Sequence, residues 1–116
     1  MPDFVYSTLG PKEVEFVAVA AESELPNGKR IFISVDEYNL VVFNIAGSYF
    51  AIGDVCSHDA GPVGEGELEG YEIICPRHGA RFDVRNGRVL AMPAVIDIPA
   101  YPTRVVGGQV EVGLPI

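Results

Sequence analysis

All cysteines and histidines of the chain lie in two short segments, Cys56-Ser57-His58 and Cys75-Pro76-Arg77-His78. Each segment pairs one cysteine with one histidine, and the sixteen residues 59–74 separate the two segments. Two thiolates and two imidazoles brought together by two loops make a four-ligand set for a metal centre. Soft thiolate ligands select zinc, copper(I) or iron–sulfur clusters, and imidazole suits zinc and iron. The two segments therefore predict a metal centre.

Two kinds of centre compete for this ligand set. A single zinc ion would take all four side chains in a tetrahedron. Zinc motifs commonly pair like with like, whereas each segment here mixes a cysteine with a histidine, and the spacing of the first segment is tight for two ligands of one ion. A [2Fe–2S] cluster needs two ligands on each of two irons, so each segment would give a cysteine to one iron and a histidine to the other. The mixed order favours the cluster and leaves zinc open.

Length and composition indicate a single globular domain. The 116 residues are enough to bury a core, and 48% of them are hydrophobic. The longest apolar runs, such as 40–43, are far too short to cross a bilayer, and the N-terminus has no secretory signal pattern. These features predict a cytoplasmic protein with no membrane partner. In that reducing compartment the two cysteines are not expected to form a disulfide.

The net charge is −8, from sixteen acidic and eight basic residues. This balance argues against a nucleic-acid partner, because phosphate contacts are made mostly by Lys and Arg. The negative charge suits a small protein that is steered towards a basic face on a larger partner. Solubility alone would also explain it. A candidate part of such a docking surface is the acidic stretch formed by Glu65, Glu67, Glu69 and Glu72.

Short β-branched and aromatic runs, separated by glycine and proline, predict an all-β sandwich or small barrel. The predicted strands are 14–19, 30–35, 40–45, 49–52, 71–75, 81–84, 88–90, 103–106 and 109–112. Turn chemistry marks Asn27-Gly28, Gly47-Ser48, Asn86-Gly87 and Gly107-Gly108, and the last three are predicted to close hairpins. Helical signals are weak, with single turns near 7–12 and 35–38 as the candidates.

Residues 53–70 interrupt the strand pattern. This stretch contains Pro62 and five glycines, at 53, 61, 64, 66 and 70, and it has no sustained apolar period. It is predicted to be a long structured loop. A long loop inside a small domain that also contains a Cys–His pair is typical of a functional segment.

The sequence resembles the bacterial Rieske-type [2Fe–2S] ferredoxins, the ferredoxin components of ring-hydroxylating dioxygenase systems. The resemblance rests on the two Cys–His segments followed by Gly79-Ala80-Arg81-Phe82-Asp83, and it extends through Asn86-Gly87-Arg88-Val89 and Pro93-Ala94 to Tyr101-Pro102. The family implies an all-β Rieske-type fold, with an antiparallel β sandwich or small barrel as its base. A smaller cluster-binding subdomain would span about 53–90, within a single Rieske domain over 1–116.

The resemblance also implies the ligands of one [2Fe–2S] cluster per chain. Cys56 and Cys75 would bind the inner iron. His58 and His78 would bind the outer iron near the surface, where an electron could leave through an imidazole. The segment around Pro93 corresponds to a loop that covers the cluster, and no residue is expected to be catalytic.

Other branches of the Rieske family differ from this chain beside the cluster. Respiratory and photosynthetic members have two more cysteines, which form a disulfide between the cluster loops, and the corresponding places here hold Gly61 and Arg77. Those members also have a serine and a tyrosine beside the cluster, where this chain has Ala80 and Phe82. Hydroxyl hydrogen bonds to the sulfurs stabilise the reduced state. Their loss predicts a midpoint potential toward the lower end of the ~−150 to +300 mV Rieske range.

The resemblance implies a soluble one-electron carrier between a flavin-dependent reductase and a terminal Rieske non-haem iron oxygenase. The chain would be a monomeric electron-transfer component and not an enzyme by itself. Two alternatives stay open. One is the small Rieske component of a nitrite-reductase-like complex, and the other is a zinc-stabilised binding module without a redox role.

Overall fold

The computed structural model describes residues 14–116, and the regular structure of this part of the chain is almost entirely β. The predicted all-β class is confirmed. The strands are β1 Val14–Ala21, β2 Arg30–Val35, β3 Tyr38–Ile45, β4 Ser48–Gly53, β5 Leu68–Glu69, β6 Glu72–Ile74, β7 Arg81–Asp83, β8 Val89–Ala91, β9 Ala100–Tyr101, β10 Thr103–Val106 and β11 Gln109–Pro115. A 3₁₀ turn at Glu22–Glu24 follows β1. Within the described range no helix has the length and apolarity needed to span a bilayer.

The strands form three antiparallel sheets. The first has the order β1-β11-β10, the second β2-β3-β4-β9 and the third β5-β6-β7-β8. Between the first two sheets lies a core made of Leu25, Leu40, Val42, Ala51, Tyr101, Val110, Val112 and Leu114. These two sheets are the base of the molecule, and they position the third sheet above them.

The central strand β3 buries side chains on both of its faces. Successive residues of a strand point to opposite sides, so Leu40 and Val42 enter the core between the first two sheets while Val41 and Phe43 point the other way. Val41 and Phe43 join a second core that the third sheet completes. That core contains Ile52, Cys56, Val63, Ile73, Cys75, Ala80, Phe82, Val84, Ala94, Ile98 and Ala100. Both cysteines are therefore core residues of the described structure.

The three predicted hairpin turns are confirmed. β3 and β4 meet at Gly47, β7 and β8 at Gly87, and β10 and β11 at Gly107-Gly108. The glycines adopt φ values between 57° and 88°, a region that is costly for residues with a Cβ. The turn signal of Asn27-Gly28 is also correct, although β1 and β2, which it separates, lie in different sheets.

Other expectations from the sequence are corrected. The candidate helical turn at 35–38 is wrong, because Val35 pairs with Tyr38 across a hairpin turn in which Asp36 has a φ of 53°. The candidate turn at 7–12 lies outside the described residues. Strands β5 and β9 were not predicted. They are two residues long and are defined by their pairing with β6 and β4.

Candidate metal centre

The first ligand loop, residues 54–66, is tied to the end of β4 by Asp54. Its Oδ1 accepts hydrogen bonds from the backbone N–H groups of Val63 at 3.0 Å and Gly64 at 2.7 Å. This carboxylate closes the loop on itself. Asp54 was not among the predicted site residues, although an aspartate directly after a strand, at the start of a glycine-rich segment, often caps backbone groups in this way.

Arg30 of β2 holds the far end of the same loop. Its Nη1 donates hydrogen bonds to the carbonyl oxygens of Gly64 at 2.6 Å and Gly66 at 2.7 Å. The Cζ of Arg30 lies 5.2 Å from the centre of the Phe43 ring, so the guanidinium also rests on the base sheet. Arg30 precedes these glycines by 34 and 36 residues, and no local signal in the sequence points to it.

The second ligand loop, residues 75–80, is a tight turn between β6 and β7. The Cys75 N–H donates to the Ala80 carbonyl at 2.7 Å, and the Gly79 N–H donates to the Cys75 carbonyl at 3.0 Å. Gly79 has a φ of 79°, which allows the chain to reverse. These bonds hold Cys75 at the closed base of the turn and leave His78 at its exposed tip.

The four predicted ligands are brought together in two layers. Cys56 and Cys75 are 0% and 1% exposed, and their sulfur atoms lie within 4.8 Å of each other. His58 and His78 are exposed, with ring centroids 5.0 Å apart and nitrogen ligand atoms within 4.8 Å of each other. The carboxylate of Asp59 lies within the same distance of both pairs. The arrangement is a buried thiol pair beside an exposed imidazole pair.

This donor set fits a two-iron cluster. Burial raises the pKa of the Cys56 thiol, backbone hydrogen bonds from His58 and Asp59 partly oppose the rise, and Cys75 adds to it. Neither cysteine is in a disulfide. A two-iron cluster takes two ligands on each iron, which matches two separate pairs of donor atoms, whereas one tetrahedral ion would gather all four into a single group.

A third segment, residues 92–98, lies against the first ligand loop. The Ser57 hydroxyl donates a hydrogen bond to the Ile96 carbonyl at 2.5 Å. Met92 and Val95 are 78% and 74% exposed. The segment that the resemblance implies as the cluster cover thus lies beside the first ligand loop, and Ser57 links the two.

The predicted acidic stretch is mixed in charge. Arg81 Nη1 lies 3.0 Å from a carboxylate oxygen of Glu69 and 3.4 Å from one of Glu72. Glu65 and Glu67 are exposed. The surface near the predicted ligands therefore carries charges of both signs, with the acidic ones in excess.

Comparisons with known proteins agree with this geometry. The family model described as "Rieske [2Fe-2S] domain" matches residues 15–102. The chain is 34% identical over 100 residues to the ferredoxin component of the naphthalene 1,2-dioxygenase system of Pseudomonas aeruginosa, which covers 86% of this chain and 96% of that protein. The structure of the "Ferredoxin of carbazole 1,9a-dioxygenase from Nocardioides aromaticivorans IC177" has a TM-score of 0.79 and 34% identity, over 84% of this chain and 95% of that one.

A second solved structure extends the comparison to an assembly. It is the "Complex of reduced oxygenase and oxidized ferredoxin in carbazole 1,9a-dioxygenase", in which the matching chain has a TM-score of 0.78 and 28% identity, over 84% of this chain and 91% of that one. The family match, the three similar proteins, each covered over more than nine-tenths of its length, and the paired donor atoms agree on one conclusion. The chain belongs to the Rieske [2Fe-2S] domain family, and its cofactor is a [2Fe–2S] cluster.

Proposed function

We propose that Cys56 and Cys75 bind one iron of the cluster, that His58 and His78 bind the other, and that the chain carries single electrons to a terminal oxygenase. The observation that carries this proposal is the division of the four side chains into a buried thiol pair and an exposed imidazole pair. When bound, the cluster supplies one-electron redox chemistry.

The surrounding residues give the two pairs different tasks. The core around Cys56 and Cys75 excludes water from the sulfur ligands, which protects them from oxidation and exchange. The imidazoles of His58 and His78 reach the surface, where a partner can approach them directly. The buried pair therefore retains the cofactor, and the exposed pair faces the electron donor and acceptor.

The chain is an electron-transfer component and not an enzyme by itself, because its relatives are named as ferredoxin components of dioxygenase systems. We propose a flavin-dependent reductase as its electron donor, a terminal Rieske non-haem iron oxygenase as its acceptor, and a monomeric state. The oxygenase partner is supported by the similarity to a chain in an oxygenase–ferredoxin complex. The names of the relatives, which are ferredoxin components of dioxygenase systems, favour this role over that of a subunit in a nitrite-reductase-like complex. A cytoplasmic location stays a prediction.

The segment that follows β8 presents an apolar docking face. It consists of Met92, Val95 and Ile96, which are 78%, 74% and 43% exposed, and the bond from Ser57 holds it beside the first ligand loop. Binding of a partner removes apolar surface from water, which favours association. The centre of a protein interface is commonly apolar and its rim polar. We propose that the terminal oxygenase docks here, with basic residues around its own site to match the net charge of −8.

We further propose the domain organisation that the resemblance implies, a single Rieske domain over 1–116 with a cluster-binding subdomain at about 53–90. Support comes from the third sheet, which runs from Leu68 to Ala91 and has the second ligand loop between two of its strands. The core shared with Val41 and Phe43 of β3 supports one domain, since residues of the third sheet are buried together with residues of the base.

The test is electron paramagnetic resonance of the dithionite-reduced protein, with iron and acid-labile sulfide counted on the same sample. We expect two irons and two sulfides per chain, and a rhombic signal whose average g value lies below that of all-cysteine [2Fe–2S] proteins. Because the chain has only two cysteines and two histidines, mixed ligation would assign all four ligands. A colourless protein that binds one zinc ion would overturn the proposal and favour the zinc-stabilised binding module.

A further inference from the structure

Arg77 lies in the second ligand loop, but its whole guanidinium contacts the first. Its Nε donates to Asp59 Oδ2 at 2.5 Å and its Nη2 donates to Asp59 Oδ1 at 2.8 Å, which makes a two-point ion pair. Its Nη1 donates to the carbonyl oxygen of Pro62 at 2.7 Å. These three hydrogen bonds join the two ligand loops, and Asp59 Oδ2 also lies 3.7 Å from Nδ1 of His78.

Gly61 makes room for this contact and connects it to a ligand. A Cβ built at Gly61 would lie 2.8 Å from both Cζ and Nη2 of Arg77, so a larger residue there would displace the guanidinium. The Gly61 N–H donates to Asp59 Oδ1 at 3.0 Å, and its carbonyl accepts the N–H of Cys56 at 2.7 Å. A continuous run of bonds therefore leads from the Cys56 backbone to Arg77, the residue before His78.

The contact between Arg77 and Asp59 stabilises the charged form of both side chains. The hydrogen bond from Arg77 holds the pKa of the Asp59 carboxyl well below its usual range, and the same bond raises the pKa of the guanidinium. The two side chains are 33% and 23% exposed, so water screens much of their attraction. Their importance therefore comes from geometry, since the three donated bonds fix the distance between two loops that carry the predicted ligands.

We propose that Arg77 is a positioning residue, an ionic clamp that acts through Asp59 and Pro62 to keep the two ligand loops closed around the cluster. This inference rests on the proposed function, because it takes Cys56, His58, Cys75 and His78 as the ligands. The clamp holds without a covalent bond. Removing Arg77 breaks all three of its bonds, whereas removing Asp59 breaks the ion pair and leaves the bond to Pro62. Its loss should therefore show first as faster escape of the cluster, before any loss of the fold.

The test is a double-mutant cycle on the cluster-loaded protein, made of Arg77→Gln, Asp59→Asn and the double variant. The rate of cluster loss is followed by the fading of visible absorbance in the presence of an iron chelator, and far-ultraviolet circular dichroism checks that each variant starts folded. We expect Arg77→Gln to speed cluster loss by about tenfold and Asp59→Asn to speed it by less, because the bond from Arg77 to Pro62 remains. The double change should add little to Arg77→Gln, because the Arg77–Asp59 contact is already lost in that variant. Arg77→Lys keeps the positive charge but has fewer hydrogen-bond donors, so its rate of cluster loss should lie between those of the wild type and Arg77→Gln.

The matched control is Arg81→Gln. Arg81 is also an arginine close to the second ligand loop, but its carboxylate partners Glu69 and Glu72 belong to the third sheet, so removing it leaves the two loops joined. We expect the control to lower the midpoint potential in the same direction as Arg77→Gln, since both remove a positive charge, without the faster loss of cluster.

The sign of the effects separates a clamp from a charge effect. A residue that acted only through its charge would make Arg77→Gln and Asp59→Asn change cluster retention in opposite directions, as they should change the potential. A clamp makes both variants lose the cluster faster. Opposite or additive effects of the two single changes on cluster retention would contradict the clamp. The ligand assignment would still stand in that case if the wild-type protein carries its full complement of iron and sulfide. A wild-type protein without iron, sulfide or the expected spectrum would overturn the proposed function instead.

Discussion

The guanidinium of Arg30 reaches from β2 to Gly64 of the first ligand loop, with Nη1 2.6 Å from the carbonyl oxygen. The same nitrogen lies 2.7 Å from the carbonyl of Gly66. Both glycines are buried, so their carbonyl groups have little water available as a replacement partner. One side chain of the base thus satisfies two buried acceptors of the loop that contains half of the predicted ligands.

Arg30→Gln should therefore destabilise the protein by about 2 kcal/mol, because charged hydrogen bonds to buried acceptors are lost. The loop should also release the cluster faster. Denaturant unfolding of the loaded protein measures the first effect and bleaching by a chelator the second. The matched control is Lys29→Gln, which removes the same charge from the neighbouring exposed residue. Equal effects at both positions would show that charge and not the two carbonyl contacts matters.

Gly66→Ala should damage the first ligand loop more than an ordinary glycine replacement. A Cβ there would lie 1.8 Å from the backbone oxygen of Ile74, so the loop backbone must move, and we expect a loss of about 3 kcal/mol or more. Gly70→Ala is the control, since its Cβ would meet open space and only its φ of +61° is unfavourable, at about 1 kcal/mol. Thermal unfolding should rank the two clearly, and similar losses would contradict the role of the close contact.

The residues beside the cluster should set a low midpoint potential. Ala80 and Phe82 are fully buried and offer no hydroxyl group to the cluster sulfurs. Ala80→Ser and Phe82→Tyr should each raise the midpoint by about 40 mV, the equivalent of a ~1 kcal/mol hydrogen bond for a one-electron couple. Phe82→Leu controls for repacking and should not raise it. A redox titration that places the wild type in the upper half of the ~−150 to +300 mV range would contradict this account.

Changes in the apolar docking face, Met92, Val95 and Ile96, should weaken binding to the oxygenase and leave the midpoint potential unchanged. Met92→Asn and Val95→Asn should each raise the KM of the oxygenase for the ferredoxin by about fivefold, because apolar contact at the interface is lost. The midpoint potential and the cluster content should stay as in the wild type. Val105→Asn is the control, since Val105 is 43% exposed but belongs to the base sheet with β1 and β11. An equal effect of the control would argue against this face.

The chemical identity of the site could be read from a few neighbouring residues. Ligand type follows from side-chain chemistry, and the spacing of Cys56, His58, Cys75 and His78 depends only on short stretches of chain. The hairpin turns were also predictable, because positive φ at positions such as Gly47 and Gly87 is a property of the local backbone. Two-residue strands such as β5 carried no comparable signal, since so short a strand is defined by its partner.

The closure of the fold depends on residues that are far apart along the chain. Val14 pairs with Pro115 where β1 meets β11, and Arg30 reaches a loop more than thirty residues away. Asp59 offered no sign in the sequence that it would meet Arg77. Such contacts depend on the mutual position of whole sheets. Closing the intervening chain costs conformational entropy, and only the formation of the complete core offsets that cost.

Local sequence was therefore sufficient to predict the all-β class and the turns, and it identified the candidate ligands of the cofactor. Long-range packing placed Cys56 and Cys75 inside the core and left His58 and His78 at the surface. The difference arises because residues of the base and of the third sheet pack around the cysteine of each segment and not around its histidine. Burial is a property of what packs against a residue, and the residue's own neighbours in sequence do not contain that information.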